Sequence, residues 1–464
     1  MRRLAFIVLA LAAAAGAAGC GDGQGARDVV DATVTDVADV ADATSTDVAD
    51  VAVAEDVADD ARNLEDTGSE TTEFHWESGC TGTPTGATWT LIEDSTFKRG
   101  PFIQMSDRDT VTVMWRTATP STDEGCVDFI VGSENRSVCG TPDEHGQYEI
   151  VLDALPAATE ITYSVRVGEL KTKDLTFRTM PDTPTPMKFA VFADAHSDIE
   201  NLRKMTAVAL NEGVDFAFGV GDFVREPEVE QYDDTMLGPQ NLGSRVNVWT
   251  VIGNHDTGLS STTREHEFFN TFVSPIGSPE EVEVGFGEGY WDHRIGNVWM
   301  GGGWIRDFYF SPPEADFGEV AYFKKRFESE EFKTAQWRLF FIHEPPWCQG
   351  WGSCDGYNGE NCLRVTLMAL ATANGIQGIF SGHMHGYEYG VLDDVNLLLP
   401  GGLGGSLDQF CEPDPGLPQP WTYNYVHNFA IVETGCDQMT VRFMDLDGNE
   451  LDRVEIPASA PAQP

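Results

Sequence analysis

Two patterns of apolar and polar positions divide the chain. Between residues 86 and 180 apolar and polar residues alternate in short runs. Thr110–Thr117 reads T-V-T-V-M-W-R-T, and Cys126–Gly132, Tyr148–Leu152, Ile161–Val167 and Leu175–Thr179 follow at turn-separated intervals. Alternation with period two buries one face of each run. Short strands so spaced predict a small all-β sandwich. Pro181, Pro184 and Pro186 then mark a stiff linker. Beyond it, continuous apolar runs predict buried strands at Met187–Ala193, Phe216–Val220, Val246–Ile252, Leu339–Ile342 and Gly378–Phe380. Asp198–Glu212 places Ile199, Leu202, Met205 and Ala209 on one helical face, with Gly213 set to stop the helix. A second helix over Leu363–Asn374 ends at Gly375. Strand–helix alternation predicts an α/β domain over residues 187–457.

The N-terminus follows neither pattern. Arg2-Arg3 precedes an apolar run, Leu4–Ala18, that ends at Gly19-Cys20. A basic start and a short apolar stretch read as an export signal over residues 1–20, because a membrane span needs roughly 20 apolar residues. Ala17-Ala18-Gly19-Cys20 resembles the bacterial lipobox, which implies a lipid on Cys20 and a place in the cell envelope, with a periplasmic or secreted protein as the alternative. Residues 21–79 carry 17 acids against two bases, in repeats of Asp with Val-Ala between. Repelling charges, and repeats whose Ala and Val alone cannot bury a core, predict a disordered acidic tether there.

Charge narrows the function classes. The net charge of −46 excludes a nucleic-acid binder working through a basic patch. A 41% apolar content excludes a wholly disordered chain. Of nine cysteines, eight remain beyond Cys20, and an even number in an exported chain predicts four disulfides. Cys126 and Cys139 are expected to pair; the other six leave several pairings open.

Each of the five apolar strands of the second domain runs into a polar cluster: Asp194 and His196, then Gly221-Asp222, Gly253-Asn254-His255-Asp256, His343, and Gly382-His383-Met384-His385. Ligands bind at the carboxyl ends of strands in such sheets, so the five clusters are expected to converge. Two carboxylates, an amide oxygen and four imidazoles, without sulfur, suit Mn, Fe or Zn. Asp194, His196, Asp222, Asn254, His343, His383 and His385 are too many ligands for one tetrahedral ion and suit two ions sharing a carboxylate. Singly, each cluster is weak, since Gly-Asp pairs and lone histidines abound; the set and its strand contexts carry the expectation.

These blocks resemble those of the calcineurin-like metallophosphoesterases, and the preceding sandwich makes the layout similar to the two-domain purple acid phosphatases. The resemblance implies a β-sandwich core flanked by helices over residues 187–457; over residues 86–180, Leu155-Pro156-Ala157-Ala158-Thr159 and Tyr163 resemble the late turn of a fibronectin type III domain, with Ile161 where that pattern has its tyrosine. It implies that Asp194, His196 and His385 hold one of two transition-metal ions, and Asn254, His343 and His383 the other, with Asp222 bridging. His255 would touch the phosphoryl group or protonate the leaving oxygen, oriented by Asp256. The chain departs from the purple enzymes at Arg225, where they carry a tyrosine, and at His196, where they carry glycine; a purple centre is not expected.

The implied reaction is hydrolysis of a small phosphate monoester by hydroxide shared between the ions. A phosphodiesterase or nucleotidase with the same ligands is the first alternative, and a non-catalytic surface-binding lipoprotein the second. The loop Trp347–Cys362, rich in cysteines and aromatic residues, is expected to rim the site. Gly401-Gly402-Leu403-Gly404-Gly405 reads as a turn or, less well without a P-loop lysine, as a phosphate cradle.

Overall fold

The alternating runs of the first domain form two facing sheets in the computed structural model, which describes residues 75–84, 88–238, 242–257, 267–272, 289–305, 308, 312–316, 318–411 and 421–458. The export signal, Cys20 and the tether up to residue 74 lie outside the described residues. Trp76–Pro464 form one compact unit. One sheet orders the strands Arg99–Gln104, Val111–Arg116 and Gln147–Leu152; the other orders Glu134–Gly140, Gly125–Val131, Glu160–Val167 and Leu170–Lys171, with Leu175–Arg178 also on Glu160–Val167. Trp115 stacks on Tyr148 at 4.7 Å inside. Cys126 and Cys139 are register partners and form a disulfide, as expected. Arg99–Gln104 escaped the periodicity because it is buried along its whole length and so shows no alternation.

The second domain is α/β, with two mixed sheets face to face and few helices. The six-stranded sheet runs Asn247–Val251, Phe216–Val220, Lys188–Phe192, Asn428–Thr434, Gln438–Asp445, Glu450–Pro457. The seven-stranded sheet runs Trp291–Ile295, Val298–Gly302, Trp337–Phe341, Gly378–Phe380, Val395–Pro400, Tyr387–Leu392, Trp421–Asn424. Phe218 of one stacks on Phe341 of the other at 3.6 Å, which fixes the core between them. The first three strands of the six-stranded sheet are mutually parallel, as are Val298–Gly302, Trp337–Phe341, Gly378–Phe380 and Val395–Pro400 in the other.

The helix expected over Asp198–Glu212 spans Ile199–Glu212, with Asp198 accepting the Asn201 N–H and Gly213 at φ 74°. The second is broken into Asn361–Val365 and Leu367–Asn374 at the β-branched Thr366, and stops at Gly375. Val298–Gly302 was hidden by its glycines: a Cβ on Gly302 would stand 2.5 Å from Trp291.

Among the described residues three disulfides form, one fewer than expected: Cys80–Cys436, Cys126–Cys139 and Cys354–Cys411. Cys348 and Cys362 are buried thiols outside these bridges, and a buried thiol packs as a small apolar group.

An ion cluster ties the two domains together. Arg99, about 1% exposed, donates from Nε to Asp233 at 2.7 Å and from Nη2 to Glu267 at 2.8 Å. A third donation, from Nη1, goes to Gln147 at 2.6 Å. Lys98 pairs with Asp234, and the Gly100 N–H donates to the Leu237 carbonyl at 2.9 Å. The first strand of the sandwich thus grips the π-helix Tyr232–Met236 from both ends. Tyr163 adds a bond from its hydroxyl to the Ser244 carbonyl at 2.9 Å. Arg99→Ala leaves Asp233 and Glu267 with only the longer contacts to Arg116, at 4.0 and 3.7 Å, and is expected to cost about 3 kcal/mol of stability. Denaturant titration checks this; an unchanged midpoint would show that the cluster holds nothing.

Candidate metal centre

Parallel strands that share a direction deliver their carboxyl ends to one edge, and all five polar clusters follow such ends. Hydrogen bonds between the turns then join them. The Asp194 N–H donates to the Gly221 carbonyl and the His196 N–H to the Asp222 carbonyl, both at 3.1 Å, and the Gly382 N–H donates to the His343 carbonyl at 2.8 Å. The His383 N–H donates to the Asp194 carboxylate at 3.0 Å, joining the two sheets. The turns are strained: Asp194, His196, Ser197, Asp222 and His383 have φ of 56°, 45°, 62°, 54° and 68°. Non-glycine residues held there cost about 1–3 kcal/mol each and gather at functional sites.

The donors converge. Asp222 Oδ2 lies 3.5 Å from His196 Nε2 and 3.1 Å from His343 Nε2, and Asp194 Oδ1 lies 3.5 Å from His385 Nε2. Ligand atoms of Asp194, His196 and His385 fall within 4.8 Å of one another, as do those of Asp222, His343 and His383, and of His196, Asp222 and His255. His383 Nδ1 donates to Asn254 Oδ1 at 2.9 Å, which brings in the amide oxygen. Backbone carbonyls aim two of the imidazoles: His343 Nδ1 donates to Val220 O at 2.8 Å, and His385 Nδ1 to Ser406 O at 2.7 Å. The far nitrogens, His196 Nε2 and His343 Nε2, are buried without a hydrogen-bond partner. Buried polar atoms are ordinarily bonded, so two orphaned nitrogens beside a shared carboxylate fit a metal pair of the hard-to-borderline class.

Asp256 is placed differently from the expectation. Its carboxylate does not orient His255; it accepts the N–H groups of Asp222 at 2.7 Å, Gly253 at 2.9 Å and Phe223 at 3.2 Å. It also accepts the Tyr232 hydroxyl at 3.0 Å. The His255 ring is oriented by the Arg225 carbonyl, to which Nδ1 donates at 2.8 Å, and the His255 N–H donates to Asp222 Oδ1 at 2.8 Å. Gly253 is needed for this packing: a Cβ there would sit 2.1 Å from Asp222 Oδ1. Tyr232 gave no local signal in the sequence, because its bond spans 24 residues. Asp408, whose carboxylate accepts the His385 N–H at 2.7 Å, lies 23 residues from its partner and was missed for the same reason.

The glycine run is no phosphate cradle. The Gly404 and Gly405 N–H groups donate to the Asp194 carbonyl at 2.9 and 3.0 Å, and the Gly402 N–H to its carboxylate at 3.2 Å. A Cβ on Gly405 would stand 2.5 Å from the His385 ring; the run is there to close on two donors. His427 supports it by donating to the Gly402 carbonyl at 2.8 Å. His293 packs on Trp249 at 4.9 Å, away from the centre, and His145 is exposed; His266 lies outside the described residues.

The loop after His343 does reach the centre. Trp351 lies 5.1 Å and Tyr357 5.5 Å from the His383 ring, centroid to centroid.

Charge is balanced between acids and imidazoles. Burial acts against the charged form of each, but the charge of Asp222 holds His343 well above its usual value. Against the same burial, Asp194 raises His385 to about 9. Burial and then the charge of His343 drop His383 to about 3. Burial would raise Asp222, but His343 and His196 hold it well below the carboxylate range.

Comparison with known proteins agrees with this geometry. Residues 187–387 match the family described as calcineurin-like phosphoesterase. A purple acid phosphatase from yellow lupin (Lupinus luteus) seeds is similar in fold, with a TM-score of 0.63, 16% identity, and 79% of this chain and 74% of that chain covered. PhoD is similar with a TM-score of 0.54, 10% identity, and 82% and 94% covered. Among curated proteins no match to the chain is found.

Cation binding to these nitrogens must displace the protons that His343 and His385 hold. Protons win at low pH, so apparent affinity for Zn²⁺ or Mn²⁺ is expected to climb with pH at least up to about 9, the value of His385. Competition with a chromogenic chelator across that range measures it; an affinity flat with pH would contradict the assignment of these two imidazoles as ligands.

Proposed function

We propose, from the calcineurin-like phosphoesterase domain that residues 187–387 form, that this protein is an exported phosphoester hydrolase that cleaves monoesters with two transition-metal ions. The observation that carries the reading is the pair of orphaned nitrogens, His196 Nε2 and His343 Nε2, on either side of Asp222. Asp194, His196 and His385 would hold one ion, Asn254, His343 and His383 the other, and Asp222 would be shared between them. Iron, manganese and zinc all fit the donor set. When bound, such a pair supplies an activated water and neutralises charge on the phosphoryl oxygens.

The chain's own residues prepare that chemistry. Asp256 fixes the Asp222 backbone, so the bridging carboxylate needs no reorganisation when substrate arrives. With Nδ1 committed to the Arg225 carbonyl, the other ring nitrogen of His255 meets the phosphoryl group or passes a proton to the leaving oxygen. The layout similar to the yellow lupin phosphatase supports a monoester over a diester, and supports reading the sandwich as fibronectin type III-like. Arg225, whose side chain is exposed, stands where a purple centre needs its tyrosine. Three disulfides call for an oxidising compartment, which supports export with a lipid on Cys20 and an acidic spacer.

After loading with Mn²⁺, Zn²⁺ or Fe²⁺, an aryl phosphate monoester is expected to be cleaved at least about tenfold faster than the matching diester. Asp222→Asn is expected to lose metal and about a thousandfold or more in turnover, and the iron form is expected to lack the purple tyrosinate absorption. Faster diester cleavage would make this a phosphodiesterase, and hydrolysis of neither would overturn the reading.

A further inference from the structure

The loop between His343 and the helix at Asn361 is built as a rigid aromatic wall on the metal centre. Trp351 and Tyr357 pack on each other at 4.3 Å, and both rings lie against His383. Both are half-buried, so part of each side chain is open to solvent. Their loop is fixed at its base and at its tip. At the base, the buried carboxylate of Glu388 accepts the Gln349 N–H at 2.8 Å and the Gly350 N–H at 2.6 Å. Toward the tip, the Trp351 N–H donates to the Gln409 carbonyl at 3.1 Å, and the disulfide Cys354–Cys411 closes the loop onto the same segment. A surface held this way loses little conformational freedom when a ligand settles on it.

Composition says what would settle there. The two segments that form the wall, residues 347–362 and 401–411, contain no lysine or arginine, and they carry Asp355, Glu360 and Asp408. Such a wall repels extra phosphate groups. Its aromatic faces attract flat rings, because offset and edge contacts between π-systems add to area burial.

We propose that Trp351 and Tyr357 form a leaving-group subsite that selects phosphate monoesters of aromatic alcohols, an aryl or nucleoside group being held on the ring faces while the phosphoryl group reaches the metal centre. This rests on the phosphoesterase reading above. The subsite determines specificity through binding and performs no chemistry of its own.

Binding of non-hydrolysable phosphonates to the metal-loaded protein, followed by titration calorimetry, tests it apart from turnover. Phenylphosphonate is expected to bind about tenfold more tightly than methylphosphonate. Trp351→Ala is expected to reduce that ratio to near one and Trp351→Phe to retain most of it. Tyr357→Ala, on an exposed loop, is the second variant and is expected to reduce the ratio severalfold. An adenosine 5′-phosphonate distinguishes the sources: tighter binding than phenylphosphonate assigns the wall to nucleosides, and equal or weaker binding assigns it to aryl groups. Equal binding of phenyl- and methylphosphonate to the unmodified protein, or an undiminished ratio in both alanine variants, would overturn the subsite alone. Binding of neither phosphonate would instead overturn the phosphoesterase reading on which it rests.

Discussion

One buried carboxylate, Asp256, holds the centre together. It makes contact with no proposed metal ligand through a side chain, yet it accepts backbone N–H groups from both Asp222 and Gly253. Those two turns end neighbouring parallel strands and carry three of the proposed site residues between them. Burial and the nearby charge of Asp222 push its pKa up to about 7, while the donated bonds act to keep it ionised. A buried network of this kind is stable only when every member is satisfied. Here the fourth donor, the Tyr232 hydroxyl, completes the set.

Tyr232 connects the centre to the rest of the molecule. It opens the π-helix that the sandwich grips through Arg99 and Asp233. The sandwich therefore braces the turn whose hydroxyl holds Asp256. This bracing offsets the strain that five left-handed non-glycine residues place in the site. On the opposite side, the glycine run closes on Asp194, and the disulfide-tied wall closes on His383. Asp222, Asp194 and His383 are thus each held by a different part of the fold.

Much of this was legible in the sequence because it is local. Phe216–Val220 and Gly378–Phe380 have the predicted bounds, and Asp198 and Gly213 cap the predicted helix. Polar clusters at strand ends were visible, since parallel strands deliver their carboxyl ends to one edge. What escaped was set by contacts distant in the chain. Nothing near Asp256 or Arg99 names the partners they find across the fold. Cys80 pairs with Cys436 over 356 residues, and parity of the cysteine count could not foresee two buried thiols. Arg99–Gln104 and Val298–Gly302 were missed because full burial and packed glycines erase the alternation that marks a strand.

The account stands on two ions sharing Asp222. Anomalous diffraction at the absorption edge of the loaded metal tests it directly. Two peaks about 3.5–4 Å apart, with the Asp222 carboxylate between them and His196 and His343 on opposite ions, are the predicted result. A single peak, or a pair that leaves Asp222 to one side, would contradict it.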